Sequence, residues 1–227
     1  MLDRRMSPTE PACGEILRWP TARSRDWTIG FVDSARSNPD IIAVIAVGSA
    51  VRPRVPSTDI DLVVVCRDPN VLKETPPIEV DLRAYSAAEI DTRLKNGHDM
   101  LGWGVRFGRV LYQRDSFWDR VVNSCHQHLP LPSSKLARDR AAAAYRRLTN
   151  VVQLGDVDAA HEQALSYLTH LARAELVDRG IYPASRPELP EQLRAIGNVR
   201  LAEWLDRLLH VESAELSQID ELLKVAR

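Results

Sequence analysis

Ile41-Ile42-Ala43-Val44-Ile45-Ala46-Val47-Gly48-Ser49, followed after a proline-bearing loop by Asp59-Ile60-Asp61-Leu62-Val63-Val64-Val65, is the stretch on which the fold turns. The first run is short, β-branched and bounded by Asp40 and Gly48, which predicts a buried strand rather than a helix. Gly48 then allows a tight backbone turn. In the second run the period-2 geometry of a strand places Asp59 and Asp61 on one face and Ile60 on the other. Two neighbouring like charges at a strand start are unfavourable without a cation.

A third alternating segment, Ile78-Glu79-Val80-Asp81-Leu82-Arg83-Ala84-Tyr85, predicts a strand over 78–85. Paired beside the second strand, it would bring Asp81 next to Asp59 and Asp61. Convergent carboxylates suit a hard, oxygen-seeking ion such as Mg²⁺. A small hydroxyl at Ser49 and the exposed amide of Gly48 suit phosphate oxygens. The alternatives are plain: a solvated strand end for Asp59 and Asp61, an ion pair with Arg83 for Asp81, and an ordinary turn for Gly48-Ser49.

With Gly-Ser, a loop, Asp-x-Asp and a later strand Asp in order, residues 30 to 115 resemble the DNA polymerase β-like nucleotidyltransferase superfamily. The compact size and helical tail look most like its minimal nucleotidyltransferases and aminoglycoside adenylyltransferases. The resemblance implies an α/β (α+β) nucleotidyltransferase fold with a small mixed sheet, followed by a C-terminal helical bundle. It implies transfer of NMP from an NTP, ATP by default, to an acceptor hydroxyl. Asp59, Asp61 and Asp81 would be catalytic and would hold two Mg²⁺ ions, with Gly48 and Ser49 on the nucleotide phosphates. The family's loop carries a further glycine near an Arg, whereas Ala50 to Thr58 has no glycine and two prolines, with Arg52 and Arg54 as candidate phosphate contacts.

The acceptor stays open. A small hydroxylated molecule such as an aminoglycoside-type antibiotic is one reading; a protein or RNA target in a toxin–antitoxin setting, or a non-catalytic antitoxin-like binding module, are the others. In the helical half, Glu162 and Glu175 are candidate bases and His170 a structural histidine or a site residue. Tyr145, Tyr167, Tyr182 and Trp204 are core or pocket aromatics. Gly102-Trp103-Gly104 with Gly108 misses the Rossmann and Walker spacings. Arg93/His98 and Arg120/His126 have the spacing of HEPN ribonuclease motifs, but Gly97 splits the first pair and Pro130 follows the second.

Composition sets the outer limits. With 227 residues and 44% apolar content the chain can bury a sizeable core, and its formal charge of −1 gives no broad basic field for nucleic acid. Cys13, Cys66 and Cys125 show neither zinc nor C-x-x-C spacing, which predicts a reduced, cytoplasmic setting. The first ten residues lack an apolar leader, and no stretch approaches the roughly 18 apolar residues of a membrane span. The chain divides on pattern into 1–128, carrying a helix over 23–37, the three strands, a helix capped by Ser86 and Glu89, and a strand within 105–112, and 129–227, carrying helices only. Five are expected, over 133–154, 158–179, 188–196, 200–210 and 214–225.

Overall fold

The computed structural model describes residues 16–52, 57–125, 128–210 and 219. The chain forms two compact units, Met1–Pro130 and Leu131–Arg227. The first is a mixed α/β unit and the second is helical.

Helix α1 (Ala22–Ser37) starts at Thr21, whose hydroxyl accepts the amide of Ser24, and ends at Asn38. Strands β1 (Ile41–Val47), β2 (Ile60–Cys66), β3 (Val80–Ser86) and β4 (Arg109–Gln113) form one sheet in the order β3-β2-β1-β4. β1 pairs antiparallel with β2 and β4, while β2 and β3 run parallel. A parallel neighbour requires a long crossover, which residues 67–79 provide. The expected strand start at Ile78 is not found: the amide of Val80 donates to the carbonyl of Pro77, and Ile78 is 97% exposed in the turn this makes.

Both sheet faces are covered, so the strands read as continuous apolar runs. Val44, Ala46, Ile60, Leu62 and Val64 pack with Phe31, Val32 and Ala35 of α1. Ala43, Ile45, Val47, Val63 and Val65 pack with Ile90, Leu94, Leu101 and Trp118 on the other face. A register shift between Ile41 and Ala43 turns Ile42 to the same side as Ala43, the signature of a bulge.

The second face is covered by α2 (Ile90–Lys95), α3 (Asp99–Phe107) and α4 (Phe117–Cys125). Two local expectations change here. Ser86 makes no capping bond; a 3₁₀ turn over Ala87–Glu89 leads into α2, and Glu89 pairs with Arg93 instead. Residues 105–107, expected to begin a strand, finish α3. Gly104 and Gly108 serve packing: a Cβ on Gly104 would sit 3.2 Å from the Trp118 ring, and one on Gly108 would overlap the Gly104 carbonyl and Ile45.

In the helical unit, α5 (Ser134–Leu154) is capped by Ser133 and ended by Gly155, and α6 (Val157–Asp178) is capped by Asp156. α7 (Leu189–Ala195) and α8 (Val199–His210) follow. Ala141, Ala144 and Leu148 of α5 are buried with Ala160, Ala164 and Leu168 of α6. These small side chains let the two backbones approach closely. The helix expected over 214–225 lies outside the described residues except for Ile219, which is buried in this core. Among the described residues, no helix is long and apolar enough to cross a membrane.

Candidate active site

The site is built at the sheet end where β1 finishes and β2 and β3 begin. Antiparallel pairing sets Val47 opposite Asp61, and parallel pairing sets Asp61 opposite Asp81. The amide of Ile60 donates to the carbonyl of Glu79 at 2.8 Å, which locks that register at its first residue. A slip by one residue would send Asp61 into the apolar face beneath α1. Asp59 is exposed just before β2, and Asp61 and Asp81 are half-buried.

Gly48 takes φ 79° and ψ −162°, a conformation reserved in practice for glycine. A Cβ built there would collide with Asp61 Oδ2, so the turn and the carboxylate occupy one compact space. Ser49 opens a 3₁₀ turn, Ser49–Val51, closed by the Arg52 amide on the Ser49 carbonyl at 3.0 Å. The amide of Leu17 donates to the Ala50 carbonyl at 3.0 Å and anchors the turn from the N-terminal side. The Ser49 hydroxyl donates to Ser57 Oγ at 3.0 Å, and the Ser57 hydroxyl donates to the Asp59 carbonyl at 2.7 Å. A hydroxyl chain therefore ties the turn to the start of the Asp-x-Asp strand. Arg52 lies 4.6 Å from the centroid of the Phe107 ring, and the Trp103 ring lies 4.7 Å from that same ring. That stacking restrains the guanidinium. Arg54 lies outside the described residues.

Asp81 has a partner. Arg83 Nε and Nη2 both donate to its Oδ2, at 3.0 and 2.6 Å, across the i, i+2 spacing of one strand face. The same pairing raises the Arg83 pKa above its ordinary value. Among the described residues, no three His, Cys, Asp or Glu side chains gather closely enough to hold a metal ion. The backbone thus juxtaposes Asp61 and Asp81, while the Asp81 carboxylate is directed to Arg83.

Whether these residues fit Mg²⁺ is decided by donor chemistry and by the cost of freeing Asp81. The donors are carboxylate oxygens alone, as hard cations require. The side chains of Asp81 and Arg83 are 41% and 54% exposed, and an ion pair so exposed is worth about 0–1 kcal/mol. Rotation of Asp81 away from Arg83 is therefore inexpensive beside the binding of a divalent ion, so the donor chemistry suits Mg²⁺ and the ion pair is no obstacle to it.

The remaining sequence candidates have structural partners or lie elsewhere. Arg93 pairs with Glu89 and lies 5.7 Å from the Tyr85 ring, and His98 caps α3 through Nδ1 while meeting Tyr85 edge-on at 5.3 Å. His126 lies outside the described residues. Glu175 pairs with Arg179, Glu162 is exposed, and His170 is half-buried on α6. Trp204 lies against the helical core with Arg207 over its ring, and Tyr182 is half-buried and accepts Gln192 Nε2 at its carbonyl. A hollow of about 240 Å³ between α2 and α4, lined by Ile90, Leu94, Phe117 and Val121, includes none of the site carboxylates. Sequence reasoning missed Ser57 and Phe107, whose roles depend on contacts between distant segments.

No protein-family model matches the chain. No curated protein matches it significantly. Among solved structures, the chain is similar to the nucleotidyltransferase-like protein from Exiguobacterium sibiricum 255-15, with 18% identity, a TM-score of 0.41, and coverage of 89% of this chain and 74% of that one.

Proposed function

We propose that the protein is a Mg²⁺-dependent nucleotidyltransferase that moves NMP, from ATP by default, to an acceptor hydroxyl. The observation that carries this reading is the paired register of Asp61 and Asp81 beside a glycine turn that has no room for a Cβ. Asp59, Asp61 and Asp81 would hold the metal. When bound, Mg²⁺ supplies charge neutralisation and alignment of the triphosphate. The Gly48 amide and Ser49 hydroxyl would hold the β- or γ-phosphate, and the stacked Arg52 would add a fixed positive charge. The acceptor oxygen attacks the α-phosphorus, its proton passes to a carboxylate of which Asp81 is the candidate, and pyrophosphate leaves.

The Arg83 contact with Asp81 favours one second reading, a module that keeps the fold and binds a partner without catalysis. Asp81→Ala separates the two. Because the pair is exposed, the variant is expected to melt within about 1 kcal/mol of the wild type and to lose transfer. Full transfer by a stable variant would remove Asp81 from the site. A large drop in melting with transfer retained would make the pair purely structural.

Ser49→Ala is expected to weaken nucleotide binding by about 1 to 2 kcal/mol, between a neutral hydrogen bond and one to a charged group. Calorimetric titration with Mg²⁺ and ATP reads this loss, and an unchanged affinity would reduce Ser49 to a turn residue. The activity itself is tested by incubating the protein with Mg²⁺ and each labelled NTP against hydroxylated antibiotics, tRNA and proteins. Label transferred to any of them supports the reading and names the acceptor class.

A further inference from the structure

The helical unit carries a groove of about 380 Å³ along the seam of α5 and α6. It is lined by buried Ala141 and exposed Ala142, whose small side chains leave space, and by Tyr145, Tyr167 and Leu171. Arg138 and Arg146 line it as well, and Arg138, Ala142, Tyr145 and Arg146 follow the i, i+4, i+7, i+8 spacing of one helical face. The two tyrosine rings lie 5.3 Å apart at 57°, forming a bent aromatic wall rather than a closed stack. Neither hydroxyl makes a hydrogen bond among the described residues. Burial, and the neighbouring Tyr145, push the Tyr167 pKa up, so its hydroxyl stays a proton donor at neutral pH.

The charges are uneven. Arg138 is paired with Asp178 at the rim, whereas Arg146 makes no ion pair or hydrogen bond among the described residues. Among the described residues, no carboxylate lines the groove. The lining thus offers a guanidinium with no partner among the described residues, phenol donors and aromatic faces within a volume in the range of small-molecule sites, about 300–1,000 Å³. Guanidinium binds phosphate or carboxylate through parallel N–H donors, and aromatic walls suit a flat ring. A polycation such as an aminoglycoside-type antibiotic would meet like charge here.

We propose that the α5/α6 groove binds a small aromatic anion, a flat ring carrying a phosphate or carboxylate group. The groove lies wholly within the helical unit, and the proposal does not depend on the transfer reading. The test titrates the full chain, in EDTA so that no divalent metal contributes, with phenyl phosphate and with benzoate, following backbone amide shifts. Phenol and inorganic phosphate serve as the separated halves. Shifts clustered on α5 and α6 with at least one of the two anions are expected, and the better of the two identifies the anionic group. Arg146→Glu should weaken that binding about tenfold or more, the loss of a charge-assisted hydrogen bond, and Tyr145→Ala should weaken it independently of charge. Arg146 is exposed and Tyr145 half-buried against the helical core, and unchanged far-UV dichroism and melting would show that the fold persists in each variant. Absence of binding by both anions, equal binding of phenol or inorganic phosphate, or affinity unaltered by Arg146→Glu would overturn the proposal.

Discussion

Replacing Asp59 and Asp61 together by asparagine is expected to abolish nucleotidyl transfer, by about a thousandfold or more, while leaving the fold intact. The size follows from the chemistry: metal ligation supplies several kcal/mol of transition-state stabilisation, and each 1.4 kcal/mol is about tenfold in rate. Asparagine keeps the shape of each side chain but removes the charge that holds the cation. Stability should change little, because Asp59 is exposed and removal of both neighbouring negative charges relieves repulsion with each other and with Asp81 in the metal-free protein. Transfer of labelled nucleotide and thermal melting on one preparation check both halves. Normal transfer by the double variant would remove the metal assignment from these residues.

Gly48→Ala is expected to be the most destabilising single change at the site, by about 2 to 4 kcal/mol. Two costs act together. A non-glycine residue at φ 79°, ψ −162° carries backbone strain of about 1–3 kcal/mol, and the added Cβ has no space against Asp61 Oδ2. Relief requires Asp61 or the turn to move, so metal-dependent nucleotide binding should fall with stability. Gly155→Ala is the internal control. Gly155 also has positive φ, at 72°, but no atom lies within 4 Å of its built Cβ, so its cost should stay near the roughly 1–2 kcal/mol of left-handed strain alone. Denaturant melts of the two variants read the difference, and equal losses would show that the contact with Asp61 adds nothing.

Much of this geometry is legible in the sequence because it is local. The β-branched run ending at Gly48, the alternation through Asp61 and the alternation through Asp81 each state their strand and their face, and parallel pairing of the last two sets Asp61 opposite Asp81. The helices α3 and α4 were not legible. Gly102 and Gly104 read as breakers by propensity, yet they are buried where α3 passes Trp118. Asp115 and Ser116 directly precede α4, but both take positive φ, 49° and 50°, and it is Oε1 of Gln113, reaching from β4, that accepts the amides of Trp118 and Asp119. Tertiary contact also decides the site's finer wiring. Nothing near Arg52 announces Phe107, and nothing near Ser49 selects Ser57 as its partner. The Asp81–Arg83 pair is visible as a possibility from their shared strand face, but only the folded arrangement shows that Arg83 turns onto Asp81 through two donors.

The central claim is that the carboxylates at this sheet end hold a divalent ion that in turn holds a triphosphate. Calorimetric titration of the full chain with ATP, in Mg²⁺ and then in EDTA, tests it most directly. Binding that requires Mg²⁺ and disappears in the Asp59→Asn, Asp61→Asn variant is the predicted result; ATP affinity that is the same with and without the divalent ion would contradict it.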